Sequence, residues 1–240
     1  MPVIGVTGPE GAGKTTLAIN IGGYLAVNGA RTLLIDANLY FPDMSFYLDM
    51  RPNYPLHLYL EDHEMDIEWL VTPHEGLKNL YLILGEPMKP IQRRYSFKLM
   101  TFLIAYLREH YGVIIVDFPP GLPVEPLPII PEIDHQILVI DPTIVPLRNL
   151  KMWVESLIIK FSHMGAEKLW VLINKPLIPE KNLIELEDFI VDELGIPVIG
   201  TIPYDVEIHE STRTGTLLCE MWEMENPVSE LAYSIEELFL

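Results

Sequence analysis

The stretch Gly8-Pro9-Glu10-Gly11-Ala12-Gly13-Lys14-Thr15-Thr16 leaves this chain few ways to fold. It fits the pattern G-x-x-x-x-G-K-[ST], a glycine-rich loop that sits between a strand and a helix. Both flanks comply. Pro2-Val3-Ile4-Gly5-Val6-Thr7 is an apolar, β-branched run that reads as a buried strand. After the loop, Leu17, Ile19, Ile21, Leu25 and Val27 lie in a segment long enough for a helix. In such a unit the loop amides and the helix N-terminus converge on one spot and favour an anion there. Lys14 would reach the outer phosphates of a bound nucleotide, and the Thr15 hydroxyl would ligate Mg²⁺.

The rest of the chain repeats strand and helix. Strands are expected at 32–36, 80–84, 113–117, 136–140, 169–174 and 197–202, with helices at 96–110, 146–164, 180–194 and from Asn226 to Leu240. Phe118-Pro119-Pro120-Gly121 must be loop, because two prolines end the ladder. Residues 44–75 mix Pro, His and acidic side chains and predict loops and small helices over the nucleotide edge. Continuous apolar strands alternating with helices mean an α/β, doubly wound, mostly parallel sheet of seven or eight strands, covered on both faces. Residues 1–240 read as one nucleotide-binding domain.

Ligands on such sheets bind beyond the carboxyl ends of the strands. Gly8, Asp36, Asp117, Asn174 and Pro203 all fall at or just past those ends and are expected to converge. Asp117 closes an apolar strand where an acid would hold Mg²⁺, directly or through water. Asp36 is open to several roles: the metal, the attacking water, or the ribose of a dinucleotide. The last is disfavoured, because the glycines run G-x-x-G-x-G and not G-x-G-x-x-G.

Composition removes other classes. A net charge of −18 argues against non-specific binding to DNA or anionic lipid. The single Cys219 leaves no pair for a disulfide or a cysteine zinc site. No apolar run reaches a membrane span and the first strand begins at once, so a cytoplasmic location is expected. His57, His63 and His74 lack metal-ligand spacing and read as solvated loop residues. No G-x-S-x-G elbow is present. Lys89, Arg93, Arg94 and Lys98 form a basic cluster in an acidic chain, a solvated segment or a contact for a protein partner.

Taken together, GPEGAGKTT at 8–16, LLIDANLYFPDMS at 33–45, YGVIIVDFPPG at 111–121, VLINKP at 171–176 and GIPVIGTIPYD at 195–205 resemble the MinD/ParA family of deviant Walker ATPases. The resemblance implies ATP or ADP with Mg²⁺ as ligand. Gly11, Ala12, Gly13, Lys14, Thr15 and Thr16 would hold phosphate, Thr15, Asp36 and Asp117 the metal, and Lys14, Asp36 and Asp117 the catalytic machinery. Asn174, Pro203, Tyr204 and Asp205 would hold adenine. The chain departs from the family pattern twice. The family's loop reads K-G-G-x-G-K-T-T, and its first lysine and glycine are Pro9 and Glu10 here. The second acid of its D-x-D is Asn38. These losses fall on hydrolysis and on the ATP sandwich dimer, so a monomer or weak homodimer with slow or partner-dependent turnover is expected. The C-terminal segment has no basic residue and matches the family's membrane anchor poorly. An ATP-dependent ligase or kinase for a small molecule, or a nucleotide-bound scaffold, are the competing readings. A second substrate pocket in residues 44–75 would favour the enzyme.

Overall fold

The computed structural model describes residues 1–61, 66–88, 97–121, 127–162, 168–221 and 225–240. Eight strands form one sheet: β1 Val3–Thr7, β2 Thr32–Asp36, β3 Thr72–Pro73, β4 Leu80–Ile83, β5 Val113–Asp117, β6 His135–Ile140, β7 Lys168–Asn174 and β8 Val198–Ile202. Their order is β3-β4-β2-β5-β1-β6-β7-β8. All pairs are parallel except β3 with β4. The chain runs outwards from β1 to β4, returns as β5 beside β1, and then builds the other half. That reversal opens a crevice at the carboxyl ends of β1 and β5, where ligands of such sheets sit. The register places Asp36 directly beside Asp117 at that end.

Alternation of side chains assigns the two faces. Leu34, Leu82, Ile115, Ile137, Val139 and Leu172 point to helices α1 Lys14–Val27, α8 Leu218–Met221 and α9 Pro227–Phe239. On the other face Leu33, Ile35, Ile114 and Val116 meet α3 Leu56–Glu61 and α4 Phe97–Leu107. Further along that face Leu138, Ile140, Val171 and Ile173 meet α5 Leu150–Ser162 and α6 Glu180–Asp188. Each fully buried leucine or isoleucine contributes roughly 1.5–3 kcal/mol. The central strands β1, β2, β5 and β6 are buried along their whole length, core on both faces, which is why such strands read as apolar runs.

Helix ends follow local chemistry. Asn226 caps α9 through the amides of Val228 and Ser229, while the Ser229 hydroxyl receives the Asn226 amide. The Asn226 side chain also reaches the Tyr24 hydroxyl on α1, and the Phe239 ring stacks 3.9 Å from His135. These contacts fasten the last helix to α1 and β6. The expected helix 180–194 is present, with its last turn, Phe189–Glu193, widened into a π turn.

Three expectations need correction. The two-residue strand β3 had no apolar alternation to announce it, and it forms because the turn 74–79 folds it back on β4. His57 is not solvated: it lies buried on α3, and His74 accepts the amides of Gly76 and Leu77 through Nδ1. His63 lies outside the described residues. Only the front of region 44–75 reaches the nucleotide edge, through α2 Met44–Tyr47; α3 instead packs with α4 beneath the sheet. No described helix is long and apolar enough to cross a membrane.

Candidate nucleotide-binding site

The loop 8–16 leaves β1 through glycines in conformations other residues avoid. Gly8 has φ +147° and Gly13 φ +92°. A Cβ on Gly8 would collide with the Val139 carbonyl, and one on Gly13 with the Asn174 amide. Gly13 is the N-cap of α1 and offers no side chain to its amides, nor is there an acid in the first turn. The helix therefore presents free N–H groups and positive dipole to the cavity before it.

That cavity has a volume of about 580 Å³, within the range of small-molecule sites. Gly11, Gly13, Lys14, Thr15 and Thr16 line it, as do Asn174, Pro203, Tyr204 and Asp205. The predicted residues thus line one cavity, apart from Gly8 at the start of the loop and three others. Ala12 is buried, with its carbonyl accepting from Asn174 Nδ2 at 2.8 Å. Asp117 lies behind Thr15, whose hydroxyl donates to Oδ2 at 2.6 Å. Asp36 is wholly buried, and its two oxygens accept the amides of Asn38 at 3.0 Å and Met44 at 3.3 Å. It shapes the loop after β2 and does not itself line the cavity.

The electrostatics are unusual for a sheet end. Lys14 is nearly buried and donates to the Pro9 carbonyl at 2.9 Å. Burial pushes its pKa down, against the pull of Asp117, Asp43 and Glu10. Asp117 is pushed up to about 7 by burial, against its bond from Thr15 and the charge on Lys14. Asp36 is raised well above the usual carboxylate range, first by burial and then by Asp117 and Asp43. Asp43 is raised by burial too.

One atom tests the site for a metal. Asp117 Oδ1 is buried with no hydrogen-bond partner, a costly arrangement unless a cation meets it. Among the described residues no cluster of three His, Cys, Asp or Glu could hold a metal by itself. Mg²⁺ does not ask for one; it takes one or two protein oxygens and completes its shell with phosphate and water. Thr15 and Asp117 fit that demand.

Several site residues escaped the sequence reading. Asp43 and Tyr47 line the cavity from the β2 side. Helix α7, Val206–Thr214, was not expected, yet Ile208, His209 and Thr212 on it line the cavity. Its signals were present: Asp205 caps it through the Glu207 amide, and Gly215 ends it at φ +69°. Lys175 also lines the cavity, with Nζ 2.8 Å from the Gly11 carbonyl and 3.0 Å from Asp141. Of the basic cluster, Lys89, Arg93 and Arg94 lie outside the described residues, and Lys98 is exposed.

The chain is similar to several known proteins. The septum site-determining protein MinD of Synechocystis is 28% identical over 216 residues, covering 89% of this chain and 79% of that protein. MinD of Pyrococcus horikoshii, solved in complex with Mg-ADP, superposes with a TM-score of 0.77 at 21% identity, over 99% of this chain and 96% of that one. The MinC:MinD complex of Aquifex aeolicus gives a TM-score of 0.80 at 22% identity, over 100% and 98%. The model of the CobQ/CobB/MinD/ParA nucleotide binding domain matches residues 4–218. The chain belongs to that nucleotide-binding family.

Proposed function

We propose that this protein is a Mg²⁺-ATP-binding switch whose hydrolysis is slow or depends on a partner. The observation that carries the reading is the Thr15–Asp117 pair, with one carboxylate oxygen free behind the phosphate loop. Lys14 and the amides of Gly11 to Thr16 hold the phosphates. Thr15 and Asp117 would hold Mg²⁺, which would supply positive charge against the phosphates. Asp36 acts on that shell from behind, by fixing the amides of Asn38 and Met44. Asn174 and the segment Pro203-Tyr204-Asp205 hold the base. Adenine is favoured over guanine, because a guanine reader of the N-K-x-D type needs an acid where this chain has Leu177.

Slow turnover follows from two positions. Pro9 carries no cation to meet a facing phosphate, and Glu10 beside it is exposed and acidic. Groups that supply such a cation are worth about 10³–10⁵ in rate. Asn38 lines the cavity, with Oδ1 3.3 Å from the Phe41 amide, and has no proton-accepting carboxylate to offer water. ATP alone is therefore expected to leave the protein a monomer or weak dimer. A protein partner, captured by one nucleotide state, would supply the missing charge.

The ligase or kinase reading is weaker. A second groove, about 850 Å³, runs between residues 48–53, 72–76 and 214–216. It shares no lining residue with the nucleotide cavity, whereas an acceptor must come within about 3–3.5 Å of the reacting phosphate.

Melting of the wild type and Lys14→Ala, with and without Mg-ATP or Mg-ADP, tests the proposal. Ligand at 100 times its Kd adds about 2.7 kcal/mol to a protein that binds it; only the wild type is expected to gain. Equal shifts in both proteins would refute the site. Light scattering with a non-hydrolysable ATP analogue, beside phosphate release, tests the switch; a tight ATP dimer turning over in the ordinary enzyme range of about 1–10³ s⁻¹ would refute slow hydrolysis.

A further inference from the structure

We infer that Lys175 is a positioning residue of the phosphate loop, holding it in its anion-accepting form through the Gly11 carbonyl; this rests on the nucleotide reading above. In a trans peptide the carbonyl and the N–H that follows it lie in one plane and point in opposite directions. A loop whose amides are to face a phosphate must therefore turn its carbonyls outwards, and something must receive them. Here the receivers are side chains from the end of β7. Asn174 Nδ2 takes the Ala12 carbonyl at 2.8 Å and Lys175 Nζ takes the Gly11 carbonyl at 2.8 Å. With Gly11 O held outside, the Ala12 amide is directed across the loop, where it lies 3.4 Å from Pro9 O. That is a long bond, readily exchanged for a phosphate oxygen.

Lys175 is built for this task. Its φ of +51° is one of only two positive values among the described non-glycine residues. The left-handed backbone turns the chain sharply after β7, and the Lys175 amide is fastened to the Ile202 carbonyl at 2.8 Å. Glycine would adopt that conformation without strain, yet the position holds a long cation that reaches back over the loop. The ammonium is held from the other side by Asp141, 3.0 Å away and buried. Asp141 is fixed in turn by the amide and hydroxyl of Thr143. Lys175 thus ties the base side of the cavity to its phosphate side, and does so from within the same chain.

The test is a Lys175→Gly, Asp141→Asn double variant. Glycine suits the backbone, and asparagine leaves no stranded carboxylate while still accepting from Thr143. Melting is expected close to wild type. Displacement of a fluorescent ADP analogue by ADP and by AMP then reads the loop. The variant is expected to bind ADP at least tenfold more weakly, about 1.4 kcal/mol, with AMP little changed, since AMP makes the fewest loop contacts. Lys175→Arg is expected to restore most of the ADP affinity. Wild-type ADP affinity in the double variant overturns the inference, and so does an equal loss for ADP and AMP, which would mark a merely structural role. A wild type that binds no nucleotide fails differently: it refutes the nucleotide reading, and this inference falls with it.

Discussion

The two ends of the sheet treat their carboxylates in opposite ways. At the amino end, Asp134 precedes β6 and is fully matched: Arg108 pairs with it at 3.1 Å and the Val3 amide donates at 2.7 Å. At the carboxyl end, Asp117 and Asp43 act on Lys14, whose ammonium is bonded to a backbone carbonyl, and Asp36 lies beside those two acids with no cation of its own among its described neighbours. Asp117 keeps one oxygen bare. A matched carboxylate stabilises the fold it sits in. A carboxylate left short of its counter-ion destabilises the fold and can recover that loss only when a cation arrives. On the function proposed above, the first end is structure and the second is the site.

Breaking the unmatched end gives the largest effect. Asp117 titrates in the folded protein at about 7 against an ordinary 3.8, so its folded form holds a proton more tightly than the unfolded chain. Its contribution to stability is therefore complete below about pH 4 and lost as pH rises through about 7. Asp36, raised for the same reason, acts with the same sign. Asp117→Asn is expected to stabilise the nucleotide-free protein at pH 8 by up to about 4 kcal/mol, and to flatten its Tm between pH 5 and 8. The same variant should lose Mg²⁺-dependent nucleotide binding. Urea melts at pH 5 and pH 8 check both halves; a variant destabilised at pH 8 would contradict them.

Arg108→Ala breaks the matched end and is expected to act in reverse. It strands Asp134 and the Glu132 carbonyl that Arg108 also holds. Because the pair is partly exposed, the cost should be about 1–2 kcal/mol, with nucleotide affinity unchanged by calorimetry. Asp43→Asn is expected to give the smallest effect, a gain at pH 8 of the same sign as Asp117→Asn but less than it, because Asp43 is only half-buried and draws on Lys14. A gain as large as that of Asp117 would mean that the two ends differ through Asp43.

The frame of this contrast was legible in the sequence because burial on both faces writes itself as apolar runs. β1, β2, β4, β5, β6, β7 and β8 each carry one, and the motif at 8–16 fixes which end of them binds. The acid pair at 36 and 117 was legible as strand-end residues; their unequal roles were not, since only the loop geometry shows Asp36 occupied by two amides. Helix α7 was missed because it buries a single serine, Ser211, and so has no apolar stripe. Lys175 was missed because its role depends on a left-handed backbone that a lysine does not announce. Asp43 and Tyr47 come from a short turn of helix whose side chains carry no periodic signal.

The central claim is that the carboxyl end of the sheet is held short of positive charge so that Mg²⁺ and a nucleotide complete it. Calorimetry of Mg-ADP binding at pH 6 and pH 8, each in two buffers of different ionisation heat, tests it most directly. The wild type is expected to gain more from Mg²⁺ at pH 8 than at pH 6. At pH 6 it should also release more protons than Asp117→Asn, because Asp117 must lose its proton to meet the metal. Equal Mg²⁺ dependence at both pH values, with identical proton release from the wild type and Asp117→Asn, would contradict the account.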